Sequence, residues 1–169
     1  MNPMQEIRIE KVTLNVGAGK EQTLLDKGML LLKNITGIQP VKTFAKKRIP
    51  SWGIRVGLPI GCKITLRKEK AYNTLIRLLE AKNHTLKKSQ FDSEGNISFG
   101  IPEYIDIRDI KYDPKIGIMG LEVCVTLERR GFRIKRRKVK KSKIPKKHRI
   151  TKDSAIEYMK NEFKVNLGE

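Results

Sequence analysis

The sequence is short of acidic side chains and of long apolar runs. It has 37 Lys and Arg against 18 Asp and Glu, a formal charge of +19, which exceeds what solubility requires and points to a polyanionic partner. Charge alone leaves RNA, DNA and an anionic membrane surface open. No apolar run approaches the roughly 20 residues that span a bilayer, and the start, MNPMQEIRIEK, lacks the apolar segment of a signal peptide. We therefore expect a cytoplasmic protein.

Motifs of metal sites and nucleotide pockets are also missing. Cys62 and Cys124 stand apart without a CxxC pattern or a nearby histidine, so neither a zinc site nor a disulfide framework is indicated. The run GAGK at 17–20 lacks the spacing of a phosphate loop, and a dinucleotide fingerprint would need a third glycine where Gln22 stands. It predicts a tight turn from a strand to a helix, and no cofactor is expected.

The one concentration of acids lies in an extended stretch between 90 and 113. Paired carboxylates in a cleft can perform general acid and base chemistry. No nucleophile motif, histidine or glycine cradle accompanies them, so an acidic surface that contacts a basic neighbour is the more economical interpretation. The residues concerned are Glu103, Asp106, Asp109 and Asp113.

Alternating and helical patterns predict an α+β fold with an antiparallel sheet. Strands are expected at 6–16, with a bulge near Glu10 or Lys11, around 60–67 and at 120–128, where Glu128 should point outward with Glu122. Short alternating runs at 97–101 and 105–107 suggest further strands. Helical spacing at 21–36 and 69–83 predicts two helices over one face. The other face should be open, and His84 at the end of the second helix should be exposed or capping.

A basic loop rich in glycine and proline connects two strands within 41–68. Lys46, Lys47, Arg48 and Arg55 supply charge and Trp52 is the only indole, a combination that suits phosphates and unstacked bases of RNA. The alternative is a solvated hairpin loop in which Trp52 caps the edge of the core. In the strand that follows, Lys63, Thr65 and Arg67 fall on one side, opposite Cys62, Ile64 and Leu66.

The composition changes abruptly after the last strand. Residues 129–152 contain 14 Lys or Arg and no acid, a run that repels itself and cannot bury itself, so it should be a mobile arm that orders on RNA. A solvated tail or a localisation signal is the alternative. Thr151 can cap a final helix with Ala155, Ile156, Met159 and Phe163 on one side. We therefore expect a domain at 1–133 and a basic arm with a terminal helix at 134–169.

Four runs of sequence resemble one family. They are KVTLNVGAG, TGIQPVKTFAKKRIPSWGIRVGLPIGCKITLR, GNISFGIPEYIDIRDIKYD and MGLEVCVTLERRGFR, and together they look like the 5S ribosomal RNA-binding family of large-subunit ribosomal proteins, over roughly residues 6–133. The basic tract with its final helix, and the lack of a helix before the first strand, look like the archaeal branch. The resemblance implies helices on one side of the sheet, RNA on the other and a place in the central protuberance.

The resemblance also implies partners and contact residues. In this family 5S rRNA is held by residues that match Asn15, Gln39, Trp52 and Thr65, where Trp52 replaces a frequent Phe. The loop between the second and third strands is expected to reach peptidyl-site (P-site) transfer RNA, and another surface to meet a small-subunit head protein. Neighbouring ribosomal proteins and 23S rRNA are further expected partners. A membrane and a small-molecule substrate are not.

Lys and Arg complete the predicted interface through phosphate contacts. Three groups are predicted. On the sheet, 5S rRNA should meet Lys11, Lys63 and Arg67 beside the residues above. The loop facing transfer RNA comprises Lys46, Lys47, Arg48, Pro50, Ser51, Trp52 and Arg55. The arm should meet rRNA through Arg129, Arg130, Arg133, Arg136, Arg137, Lys138, Lys140 and Lys141.

These predictions have two rivals. A general RNA chaperone or architectural nucleic-acid-binding protein would need only the charge, and would bind any strand or duplex of equal length. An RNA-modifying enzyme using Glu103 and Asp106 would show turnover or a cofactor requirement. Nothing in the sequence demands either, so the predicted function is structural and not enzymatic.

Overall fold

The structure, a computed structural model, describes residues 2–168 and confirms an α+β fold. Its strands are β1 Ile7–Gly17, β2 Val41–Phe44, β3 Pro59–Leu66, β4 Thr85–Lys87, β5 Ile97–Ile101, β6 Leu121–Arg129 and β7 Asn166–Gly168. Its helices are α1 Gln22–Thr36, α2 Lys68–Glu80, the single turn α3 Arg133–Arg136, and α4 Lys152–Phe163. Five strands form one antiparallel sheet in the order β2-β3-β1-β6-β5.

Strand β1 lies at the centre of this sheet and carries the predicted bulge. Ile9 pairs with Leu127 and Lys11 with Thr126, so Glu10 is the extra residue. Beyond the bulge, Val12, Leu14 and Val16 are buried, because every second side chain of a strand points to the same face. The bulge thus puts Arg8 and Lys11 on the face opposite the core.

Helices α1 and α2 cover the apolar face of the sheet, as predicted. Leu25, Leu31, Leu32 and Ile35 of α1 are buried. Gly37, with φ 69°, ends the helix by donating its backbone N–H to the carbonyl of Lys33, and glycine adopts this left-handed conformation without strain. The predicted second helix ends earlier than expected, at Glu80, and His84 follows with Nδ1 3.2 Å from the carbonyl oxygen of Phe163.

Helix α4 packs on the same core as the sheet. Thr151 caps its first turn by accepting a hydrogen bond from the backbone N–H of Ser154, and Ala155 and Met159 are fully buried. The rings of Phe163 and Tyr72 of α2 lie 5.2 Å apart. The capped amphipathic helix was predicted correctly. The two-stranded parallel sheet of β4 and β7, which joins the chain end to the segment after α2, was not predicted.

Two expectations about the course of the chain are wrong. The run around Ile105 and Ile107 is not a strand, because residues 104–106 form a 3-10 turn whose Tyr104 is fully buried. The basic tract was expected to remain unburied, but Ile144 and Ile150 within it are buried. Helix α3 and a 3-10 turn inside the tract give it regular structure. Two buried isoleucines in this strongly charged run help to attach it to the rest of the fold.

Among residues 2–168, no helix is long and apolar enough to cross a membrane.

Candidate nucleic-acid interface

The face of the sheet opposite α1 and α2 carries polar and basic side chains on adjacent strands. In one row, Asn15 of β1 lies between Lys63 of β3 and Glu122 of β6. In the next row, Thr13 lies between Thr65 and Cys124. We call this surface, formed by residues 11, 13, 15, 63, 65, 122 and 124, the open face. The alternation in β1, β3 and β6 was therefore interpreted correctly.

Asn15 and Thr65 are diagonal neighbours on the open face. Asn15 pairs with Lys63 and Thr65 with Thr13, and diagonal side chains on adjacent strands lie within about 7–8 Å of each other. The Nδ2 atom of Asn15 donates a hydrogen bond to Glu122 at 3.1 Å. This bond orients the amide toward β6. An amide and a hydroxyl so placed can both donate and accept hydrogen bonds.

The basic residues predicted for the sheet differ in their partners. Lys63 is exposed and Lys11 half-buried, and neither forms an ion pair within residues 2–168. Arg67 instead lies 3.3 Å from the carboxylate of Glu10. Lys11 and Lys63 therefore present positive charge on β1 and β3, whereas Glu122 places a carboxylate on β6. The open face is cationic on one side and acidic on the other.

Glu128 is not at the surface as the alternation predicted, since its side chain is only 6% exposed. Its carboxylate accepts hydrogen bonds from Arg8 and from Arg136, each at 2.6 Å. Arg136 also donates to Glu10. The parity of the strand is right, but Arg136 of α3 covers this end of the sheet. Arg136, which is also predicted to meet rRNA, ties the basic tract to β1 and β6 while its side chain stays 44% exposed.

The loop between β2 and β3 is an ordered extension of those strands. Ile49 and Ile54 exchange two backbone hydrogen bonds of 2.9 and 3.1 Å, and Ile54 and Ala45 are buried. The tip is a 3-10 turn at Pro50–Trp52, ended by Gly53 with φ 66°. Trp52 is 66% exposed, so it does not cap the core. The other predicted loop residues, Lys46, Lys47, Arg48, Pro50, Ser51 and Arg55, are exposed too.

Gln39 and two unpredicted apolar side chains lie near the β2 edge of the sheet. Gln39 is exposed. It lies two residues before Val41, which pairs with Lys63. Val41 and Phe44 are 63% and 57% exposed. The sequence analysis did not propose either residue as a contact. Their position beside a basic loop could have indicated them, because exposed large apolar side chains often mark interaction sites. Trp52 lies at the loop tip and not in the rows that contain Asn15.

The two cysteines occupy opposite faces of the sheet. Cys62 is buried, and burial raises the pKa of its thiol to about 11. Cys124 is exposed on the open face. Partial burial and the nearby carboxylate of Glu122 raise its thiol pKa above the ordinary 9.0. Cys124 is therefore a protonated, accessible thiol within the candidate interface at neutral pH.

The basic tract presents most of its predicted contact residues to solvent. The exposed residues lie along α3 and the chain on either side of it. They are Arg130, Arg133, Arg137, Lys138, Lys140 and Lys141. Arg129 is half-buried at the end of β6. Arg137 donates to the carbonyl of Lys140 at 2.6 Å, which bends the tract back on itself.

In the part of the chain that the structure describes, no group of three or more His, Cys, Asp or Glu side chains could hold a metal ion. What the fold does offer is a sheet face, a basic loop and a basic tract. An α+β fold that leaves one polar sheet face free and carries a charge of +19 is typical of nucleic-acid-binding proteins.

Comparison with known proteins places the chain within one family. Residues 2–55 match the family model "Ribosomal protein L5", and residues 59–158 match the model for the C-terminus of the same ribosomal protein family. The chain belongs to the ribosomal protein L5 family, which agrees with the resemblance noted from the sequence. The family consists of ribosomal proteins, not enzymes.

Archaeal relatives cover nearly the whole chain. Proteins named "Large ribosomal subunit protein uL5" are 48% identical in Sulfurisphaera tokodaii, over 100% of this chain and 96% of that protein, and 52% identical in Nanoarchaeum equitans, over 98% of each. The protein of the same name in Methanobrevibacter smithii is 46% identical over 98% of each. Similarity therefore extends through the basic tract and α4.

Proposed function

We propose that the protein is a structural component of the large ribosomal subunit that binds 5S rRNA through the open face and attaches it in the central protuberance. It acts in the cytoplasm as part of the ribosome. The observation that carries this proposal is the juxtaposition of Asn15, Lys63 and Thr65 on a solvent-open sheet. Lysine neutralises phosphate, while the amide and the hydroxyl can bond to ribose 2′-hydroxyls and base edges.

The charge pattern of the open face favours one orientation of the RNA. Lys11 and Lys63 make β1 and β3 the attractive side, and Glu122 on β6 repels phosphate. The backbone of 5S rRNA should therefore follow β3 and β1 toward Gln39 at the β2 edge. The tract after β6 supplies further phosphate contacts, either to 5S or to 23S rRNA.

The loop between β2 and β3 is proposed to contact P-site transfer RNA. Its tip holds Trp52 in a short turn closed by the Ile49 and Ile54 backbone bonds. A ring held in this way can stack on a base or ribose without a large entropic cost on binding. The surrounding lysines and arginines would meet the phosphates.

A third surface is proposed to contact a basic protein of the small-subunit head. It lies in the segment 102–120, where Ile118, Tyr112 and Ile105 are 73%, 54% and 38% exposed. Glu103, Asp106 and Asp109 are exposed beside them. Exposed apolar side chains among carboxylates suit a partner rich in Lys and Arg.

Footprinting of 5S rRNA with charge-reversal variants tests the proposed main contact. Lys63→Glu places a carboxylate on the open face, whereas Lys27→Glu makes the same change of charge on α1, on the other side of the sheet. We expect Lys63→Glu to erase the protection of 5S rRNA and Lys27→Glu to retain it. Equal weakening by both variants would favour a general chaperone that responds only to net charge.

A further inference from the structure

The basic tract folds around a cleft that is lined almost entirely by its own residues. The cleft has a volume of about 660 Å³, within the range of about 300–1,000 Å³ common for small-ligand sites. Phe132, Ile144 and Ile150 form its apolar lining. Ile144 and Ile150 are buried, and the Phe132 ring packs edge to face on His148 at 5.7 Å. These contacts give the cleft fixed walls.

Backbone and ionic contacts hold the tract in this shape. The N–H of Ser142 donates to the carbonyl of Ile134 at 3.1 Å, and Nε of Arg149 donates to the carbonyl of Ile144 at 3.2 Å. The carboxylate of Glu94, in the turn before β5, lies 3.5 Å from Arg149 and 3.9 Å from Lys135. Glu94 thus ties the two ends of the tract together.

The charge around the cleft is strongly positive. Lys141 and Lys143 line it and are exposed, in addition to Lys135 and Arg149. Glu94 is the one carboxylate in the lining and is already paired with two cations. An apolar floor surrounded by cations matches a ligand with a flat apolar part and an attached phosphate.

We propose that this cleft receives a single unstacked nucleotide of rRNA, with its base against Phe132 and its phosphates at Lys141 and Lys143. The inference rests on the proposed rRNA binding by the tract and assigns it a specific mode. A diffuse basic arm would respond only to the charge of the RNA phosphates. A cleft would instead bind at a single-stranded or bulged position, where a base is free to leave its stack.

Two pairs of matched variants of the full-length chain separate these modes. Ser142→Trp fills the cleft from an exposed lining position, and Val139→Trp adds the same ring in the same tract at a side chain that is 73% exposed and outside the cleft. Lys141→Gln with Lys143→Gln removes two charges at the cleft. Lys138→Gln with Lys140→Gln removes two charges beside it.

The measurement is the affinity for a single-stranded RNA hexamer and for an abasic hexamer with the same phosphates, by fluorescence anisotropy. We expect the wild type and Val139→Trp to prefer the hexamer with bases by about fivefold or more, since a stacked base contributes strongly to binding. Ser142→Trp should reduce this preference below that of Val139→Trp, because only base contacts outside the cleft, such as Trp52, then remain. Lys141→Gln with Lys143→Gln should weaken binding more than its control pair.

Equal effects within each pair would overturn the cleft while leaving rRNA binding by the tract intact. If neither lysine pair changed RNA affinity, the tract would not bind RNA and both proposals for it would fail. Circular dichroism verifies that Ser142→Trp is folded, and the lysine pairs decide the question if it is not.

Discussion

Trp52 is an exposed aromatic side chain at the tip of the loop between β2 and β3. Its 66% exposure means that the ring stabilises the fold little, whereas a stacked base contributes about 1–3 kcal/mol to binding. Trp52→Ala should therefore weaken binding to transfer RNA about fivefold or more in a filter-binding assay and leave the melting temperature within a few degrees. Trp52→Phe, the control, should retain most of the binding. A large loss of thermal stability would place Trp52 in the core.

Cys124 offers a direct probe of the open face. Because its thiol pKa lies above 9.0, alkylation should be slow at pH 7 and accelerate about tenfold per pH unit up to that pKa. Cys62 should stay unmodified in the folded protein, since it is buried. Binding of 5S rRNA should protect Cys124, measured by mass spectrometry at about pH 8.5, where enough thiolate forms to react. Unchanged alkylation in the saturated complex would contradict an RNA-covered open face.

At the scale of elements, α3 is held on the end of the sheet by ion pairs. Arg136→Ala removes the shared partner of Glu10 and Glu128, and Glu128 is nearly buried. Leaving buried acceptors unsatisfied costs about 1–3 kcal/mol, so urea denaturation should show a loss of stability of that order. Arg133→Ala is the control and should cost little, because Arg133 lies on the same turn but forms no ion pair within residues 2–168. Equal stability of the two variants would show that the ion pairs do not hold α3.

Strand alternation gave the faces of β1, β3 and β6 correctly because a buried face and a solvent face alternate along each of them. It failed at Glu128, since the side chain that covers it comes from α3, which periodicity within one strand does not reveal. Ile105 and Ile107 have the spacing of a strand, yet a 3-10 turn around buried Tyr104 satisfies the same pattern. Strands β4 and β7 have three residues each, too few for a periodic signal.

The candidate site was predictable to a different degree in each part. Trp52 was already indicated by the basic loop around it, whereas Asn15 and Thr65 came as 5S rRNA contacts from the resemblance. The structure places all three at the surface or half-exposed. The folded basic tract was not predicted, because its charge obscured the two buried isoleucines that attach it. The ion pairs of Arg67 and Arg136 join segments that are far apart in the sequence. Patterns within one segment therefore could not predict them.

For the whole molecule, the tract should govern the salt dependence of RNA binding. Deleting 129–152 would remove the end of β6 and the buried Ile150, so neutralisation of exposed lysines is the cleaner change. Replacing Lys138, Lys140, Lys141 and Lys143 by Gln should lower the slope of log K against log salt by up to about 0.7–0.9 for each phosphate that is no longer neutralised. The preference for 5S rRNA should remain. An unchanged slope would show that these lysines do not meet phosphate.

The central claim is that the open face distinguishes 5S rRNA from other RNA, and a double substitution that keeps net charge tests it most directly. Asn15→Val with Thr65→Val removes an amide and a hydroxyl from β1 and β3. Asn34→Val with Thr23→Val removes the same groups from exposed positions of α1. Each buried hydrogen-bonding group left unpaired costs about 1–3 kcal/mol, so the first variant should lose specificity and the second should not.

The measurement is the ratio of dissociation constants for an unrelated RNA of equal length and for 5S rRNA at moderate salt. The account predicts a ratio near one for Asn15→Val with Thr65→Val, and the wild-type ratio for the α1 control. A wild-type ratio in the open-face variant would contradict the account and assign specificity to the loop at 45–58 instead.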